Sequence, residues 1–306
     1  MGRKYAVLGV GHVGSTVAFA LVTKGDADEL VLIDKDEKKA RAEQLDLQDA
    51  TARLETRPKI KVQDYHELKD TDILFVTAGN ILALKNQTGN NRWAEFNDTR
   101  EIVKDIAPKI KASGFHGVMI VTMNPCDAIA QYLQKEIGLP QSQVMATGTF
   151  LDTARMQRVV AEQFYVDPKN VTGYVYGEHG NSQFIAWSTV KVNGLDLLPL
   201  AKKKNLPLSK LEEHVKAGGW DVYAGKGYTS YAIATCAIKL SRAVLDDAHL
   251  MCPCSYYNQK YDSYVGQPAI IGKNGVEEVV DVPLTAEEKA KLANSASTIK
   301  EKFATL

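Results

Sequence analysis

The chain has no excess of charge of either sign: its 306 residues carry 37 Lys and Arg against 37 Asp and Glu. Nucleic acids and anionic membrane surfaces are held largely through bulk positive charge, so this balance argues against both as partners. The run Lys202-Lys203-Lys204 then reads as a solvated face. Cysteine is scarce. Cys126, Cys236, Cys252 and Cys254 are too few for a disulfide framework in a chain of this length. Cys252 and Cys254 have one residue between them, where a zinc knuckle needs two or more, and no His or Cys pair follows at ligand spacing, so no metal site is expected. No apolar run approaches the roughly 18 residues of a membrane span. The start, Met1-Gly2-Arg3-Lys4, lacks the apolar stretch and cleavage site of a secretory leader. Ala6 stands where an N-myristoylation motif needs Ser or Thr. A cytoplasmic protein is the expectation. Internal repeats and low-complexity segments are also missing.

What remains is an ordinary globular composition, 45% hydrophobic and 24% charged, long enough for one large or two moderate domains. Apolar runs at 5–10, 30–33, 72–77 and 117–122 read as buried strands, with a weaker one at 59–62. Helical periodicity occupies 13–22, 38–54 and 97–112. This alternation predicts an α/β fold with a parallel sheet covered on both faces. From about residue 150 the texture changes. A helix over 152–164 precedes antiparallel strands at 171–176 and 183–192, then helices at 208–216 and 230–250. A strand at 268–272 runs into the hairpin signal Asn274-Gly275, and Thr285 with Glu288 has capping-box spacing before a last helix ending near Phe303. The predicted division is 1–146 and 147–306, with the 230–250 helix packing back on the first unit. The long polar loop 79–91 has the length of a functional lid or a disordered segment.

Gly9-Val10-Gly11-His12-Val13-Gly14 matches GxGxxG. Alone the match is weak, since glycine turns occur in other α/β folds. Here a strand precedes it, a helix follows it, and Asp34 ends the next strand about 20 residues on, which is the context a dinucleotide site requires. The glycines allow a tight turn and close approach of the backbone to a diphosphate at the helix N-terminus. Asp34 would accept hydrogen bonds from the adenosine ribose and repel a 2′-phosphate, favouring NAD over NADP, a preference that Lys35 softens.

Gly177-Glu178-His179-Gly180-Asn181-Ser182 sets one histidine between two glycines. Imidazole is the side chain suited to proton traffic near neutral pH. Asp152 and Arg155 lie in Leu151-Asp152-Thr153-Ala154-Arg155, three apart and so on one helix face, and Arg92 closes the polar loop. An acid–base group, a carboxylate and two guanidinium groups suit a small anion bearing a carbonyl or hydroxyl. Taken singly, Asp152 is also a candidate helix cap, Arg155 and Arg92 candidate surface ion-pair partners, and Asn124 before Pro125 a candidate turn.

Together with Asn124-Pro125, Asp46-Leu47-Gln48-Asp49 and Lys226-Gly227-Tyr228-Thr229-Ser230, these segments occur in the order in which they stand in the L-lactate/malate dehydrogenase family, which the chain resembles over nearly its whole length. Within it, the segments around 151–158, 177–190, 225–231 and 268–272 most resemble L-2-hydroxyisocaproate dehydrogenases. The resemblance implies a Rossmann-type doubly wound parallel sheet, followed by an α+β catalytic domain with antiparallel strands. It implies an NAD-dependent oxidoreductase for 2-keto and L-2-hydroxy acids. His179 would pass the proton, Asp152 would orient it, Arg155 would fork the substrate carboxylate, and Arg92 would polarise the carbonyl. Asn124 would contact nicotinamide and substrate, Thr229 would line the substrate pocket, and Thr77-Ala78-Gly79 would run along the coenzyme. The loop before Arg92 contains Ile81, Leu82, Leu84 and Lys85 but no arginine, so a medium or branched apolar keto acid such as 2-ketoisocaproate is expected over oxaloacetate. Gln157 and Thr172 stand where activator-controlled relatives have basic residues, so no sugar-bisphosphate control is expected. The short start lacks the arm of vertebrate relatives, yet the resemblance still implies a homo-oligomer, a tetramer. The alternatives are a lactate or malate dehydrogenase and, more remotely, a non-catalytic NAD-binding structural protein.

Overall fold

The computed structural model describes residues 2–80 and 92–305, less the side chains of Arg92 and Ala94. The first half runs β1 (Lys4–Leu8), α1 (His12–Lys24), β2 (Glu29–Ile33), α2 (Glu37–Thr51), β3 (Lys59–Val62), β4 (Ile73–Val76), α3 (Phe96–Ser113), β5 (Val118–Val121), α4 (Cys126–Ile137) and β6 (Val144–Ala146). The second runs α5 (Phe150–Phe164), β7 (Val171–Thr172), β8 (Val175–Tyr176), β9 (Phe184–Ile185), β10 (Lys191–Val192), β11 (Leu195–Asp196), α6 (Leu197–Lys204), α7 (Leu208–Lys226), α8 (Tyr231–Leu245), β12 (Leu250–Asn258), β13 (Ser263–Gly272), β14 (Gly275–Val279) and α9 (Ala286–Phe303).

Nine strands form one sheet in the order β14-β13-β12-β6-β5-β4-β1-β2-β3. The six from the first half are parallel, and their order reverses between β1 and β4, the place where an open α/β sheet leaves a crevice for ligands. β12, β13 and β14 add antiparallel strands at the β6 edge, joined where Ser255 pairs with Ala146. One face is filled by a core in which Tyr5, Val7 and Leu21 pack with Ala237, Ile238 and Ile271, so α8 and the late strands complete it. The other face carries α3 and α4. A third core, with Met156, Val160, Leu211 and Val215, holds α5 against α7 and the small sheet β11-β10-β7.

Several segments differ from expectation. The strands predicted at 171–176 and 183–192 are each cut in two. Gly173, at φ +113°, breaks the first, and its halves pair in different sheets: β7 with β10, β8 with β9. The helix predicted over 230–250 ends at Leu245, and Leu250 already belongs to β12. Pro253 disguises that strand, since a proline argues against a strand interior. It pairs with Pro268 of β13, so two residues without N–H groups face each other. The helix predicted at 208–216 continues to Lys226, and α4, β6 and α6 had no separate sequence signal.

Candidate active site

The glycine turn lies between β1 and α1. Gly9 has φ +94°, and a Cβ there would come to 2.5 Å of the Ala78 backbone. A Cβ on Gly14 would run into the Gly9 carbonyl oxygen and the Thr77 Oγ1, which itself donates to that carbonyl at 2.5 Å. Gly11 has nothing within 4 Å of its Cβ position, so its face of the turn is open. That bare face at a helix N-terminus suits a diphosphate. Asp34 at the end of β2 accepts from the Val10 N–H at 2.8 Å and the Asp36 N–H at 3.0 Å, and Gln63 hydrogen-bonds its backbone from both sides. A cleft of about 990 Å³ starts here. Gly9, Gly11, His12, Val13, Asp34, Lys35, Thr77, Ala78, Gly79 and Asn124 all line it, whereas Gly14 is buried beneath the turn.

Arg155, His179 and Thr229 line the same cleft. Asp152 sits in the first turn of α5, where the helix end favours a carboxylate, and only 1% of its side chain is exposed. One oxygen lies 2.5 Å from His179 Nδ1 and the other accepts from Arg155 Nη1 at 2.8 Å. The sequence-selected Asp152, Arg155 and His179 are therefore one connected group, with the two partner side chains each 11% exposed. A carboxylate on Nδ1 leaves Nε2 as the nitrogen available to a reactant. Asn124 donates to the buried Glu95 at 3.4 Å. Arg92 begins a short turn, Arg92–Glu95, that leads into α3; its side chain and the whole stretch 81–91, with Ile81, Leu82, Leu84 and Lys85 that were expected to face the substrate, lie outside the described residues.

Residues 3–146 match the model of the lactate/malate dehydrogenase NAD binding domain, and residues 149–306 that of the family's alpha/beta C-terminal domain. The chain belongs to the lactate/malate dehydrogenase family. NAD is its cofactor. L-lactate dehydrogenase 1 of Bifidobacterium longum subsp. longum is 37% identical over 98% of this chain and 96% of its own. L-lactate dehydrogenase 3 of Bacillus cereus is 33% identical, covering 99% and 98%. The minor L-lactate dehydrogenase of Enterococcus mundtii, solved in a ligands-bound form, has a TM-score of 0.92 at 34% identity and covers 99% of this chain and 98% of its own. These relatives are lactate enzymes, and they do not support the expected closeness to hydroxyisocaproate dehydrogenases.

The fold of this dehydrogenase also brings to the candidate site neighbours that sequence reasoning missed. Asp127 of α4 is 2% exposed and accepts the His179 backbone N–H at 2.9 Å. Burial pushes its pKa up to about 6, against the opposing effect of hydrogen bonds that include that N–H. Its signal was its place two residues after Pro125, where an acid reads merely as a favourable helix start. Glu178, 3% exposed, accepts from Trp93 Nε1 at 2.7 Å and from Ser182 Oγ at 2.6 Å, while its own N–H donates to Ser295 Oγ of α9 at 2.7 Å. The turn that follows Arg92 is thereby tied to the His179 loop. Gln157 donates to the Val171 carbonyl, a structural use of that position. Among the described residues one group has metal-ligand spacing, the exposed Asp247, His249 and Glu277, and it takes no part in lining the cleft.

Proposed function

We propose that this family member is an NAD-dependent L-lactate dehydrogenase, interconverting pyruvate and L-lactate. The observation that carries the reading is the Arg155–Asp152–His179 group opening on the coenzyme cleft. Bound NADH supplies the hydride. His179 delivers the proton to the carbonyl oxygen from Nε2, or removes it in the oxidation direction. Asp152 fixes the tautomer and the ring orientation through Nδ1. Arg155 offers a planar fork to the substrate carboxylate, although one of its nitrogens already serves Asp152. Arg92 stabilises the developing oxyanion. Asn124 and Thr229 border the nicotinamide and substrate. Gly9, Gly11, His12, Val13, Gly14, Asp34 and the Thr77–Gly79 stretch hold the coenzyme. Sugar bisphosphates leave the rate unchanged in this reading.

One observation favours bulkier keto acids. Gly218 and Gly219 are buried inside α7, Gly219 lines the cleft, and a Cβ on Gly218 would come to 3.4 Å of Arg155 Cδ. Helix-interior glycine costs roughly 0.5–1 kcal/mol relative to alanine, so the bare stretch needs a packing reason. Loss of NADH absorbance with pyruvate, oxaloacetate and 2-ketoisocaproate separates the readings. The highest kcat/KM is expected with pyruvate. A preference for 2-ketoisocaproate establishes the second reading, a preference for oxaloacetate overturns both, and no turnover across the panel removes the enzyme altogether.

A further inference from the structure

His12 is the first residue of α1, inside the glycine turn, and its side chain faces the cleft. Tyr228 follows Gly227, which ends α7, and lines the same cleft. The two rings stack face to face, with centroids 3.6 Å apart and planes 2° from parallel. The stack ties the coenzyme turn to the loop that carries Thr229, and it holds an imidazole where a diphosphate meets the helix end. Two charges act on the ring, from two helices. Lys39 of α2 and Lys226 of α7 act on the ring, and Lys226 Nζ lies 4.5 Å from the Tyr228 centroid. The β2–α2 side of the cleft carries Asp34, Lys35, Asp36 and Glu37, and Asp34 is already bonded to two backbone N–H groups.

Burial and then the two lysines hold His12 below the ordinary imidazole range, so the ring is neutral at neutral pH. A diphosphate brings the opposite charge to the same spot. The Tyr228 face also favours an imidazolium over a neutral ring. We propose that His12 takes up a proton as the coenzyme diphosphate enters the turn, so that dinucleotide affinity rises as pH falls. In this role the Tyr228 stack is a positioning device: it keeps the ring over the diphosphate site. The inference rests on the coenzyme site and not on which keto acid is reduced, so binding without keto acid tests it apart from turnover.

The probe is ADP-ribose, which carries the diphosphate but leaves the His179 end of the cleft empty. Calorimetric titration of the full-length protein from about pH 5.5 to about pH 8.5 spans the imidazole range. Wild-type affinity is expected to tighten toward the acid end, by up to about tenfold for each unit by which the diphosphate raises the His12 pKa. His12→Gln is expected to give a flat profile at the weak limb, and adenosine, without phosphates, to give no slope with the wild type. Titration in two buffers of different ionisation heat reads proton uptake by the wild type directly and needs no variant. Zero uptake, a slope that survives in His12→Gln, or an equal slope with adenosine overturns the proposal.

Discussion

Asp152 divides its two oxygens between a base and a cation in almost complete exclusion of water. Removing one partner of such a buried pair leaves an uncompensated charge, so the group is expected to act as a unit. His179→Ala is expected to lower kcat by about 10²–10⁴, the range of general acid–base catalysis, while NADH binding followed by fluorescence changes little. Retained turnover would take His179 out of its role. Asp127 obeys the opposite logic. Its folded-state pKa of about 6 lies above its unfolded value of 3.8. The protonated form therefore favours folding, fully so below pH 3.8, and that contribution is lost as pH rises through about 6. Asp127→Asn keeps an acceptor for the His179 N–H and removes the buried charge. Urea melts at about pH 7.5 are expected to show a gain of up to about 3 kcal/mol that vanishes near pH 4. A gain of equal size at both pH values would refute the charge argument. Residue types explain what was legible here. Asp152, Arg155 and His179 announce their chemistry in the sequence, whereas Asp127 acts through a backbone N–H that no side-chain pattern records.

At the scale of elements, α9 was readable from two residues and β12 was not readable at all. Thr285 and Glu288 cap α9 reciprocally, at 2.9 and 3.2 Å, as their spacing predicts. Glu288 reaches further than its helix. It accepts from the Ser188 N–H at 3.1 Å and the Ser188 Oγ at 2.5 Å, fastening α9 to a distant turn. Burial pushes its pKa up, but the bonds from Ser188 and Thr285 outweigh burial and hold it below the usual range. A depressed folded pKa contributes stability that is present above the unfolded value and lost as pH falls through the folded one. Glu288→Gln is expected to cost about 1–2 kcal/mol at neutral pH, in the range of a lost cap, and less as pH drops below about 4.5; thermal melts at both pH values check this. In β12 the local signal misleads because Pro253 argues against a strand interior, and the residue it faces, Pro268, lies on another strand. The glycine turn lies between these extremes. Its motif was plain, but only the packed turn shows why Gly14 has no room for a side chain. Gly14→Ala is expected to abolish NADH binding in a fluorescence titration and lower the melting temperature, and an intact titration would contradict the packing.

For the molecule as a whole, the expected parallel sheet is present, and it does not stop where the first 146 residues end. The strands from the second half extend it, and one core draws on both halves. Sequence periodicity locates faces that need covering but not which distant element covers them, so the extension beyond β6 was out of its reach. We expect a fragment of residues 1–146 to expose the β6 edge and the surface that α8 covers, and to aggregate in sedimentation assays. A soluble, cooperatively melting fragment would show that the halves are independent. Phe19, Leu45 and Tyr231 are exposed on α1, α2 and α8, Tyr231 to 71%. A homo-oligomer, taken to be a tetramer, would cover them; light scattering is expected to give a mass well above 33.6 kDa, and a monomer would remove that assignment.

Ser295 stands at the far end of the chain, yet its hydroxyl accepts the N–H of Glu178 and meets Ser182, on either side of His179. A growing polypeptide emerges N-terminus first. The flanks of the histidine loop thus gain this tie only once α9 has been made, whereas Asp152 and Asp127, which hold His179 itself, precede the loop in the chain. Any loosening of α9 is therefore expected to be felt first at the two residues that flank His179.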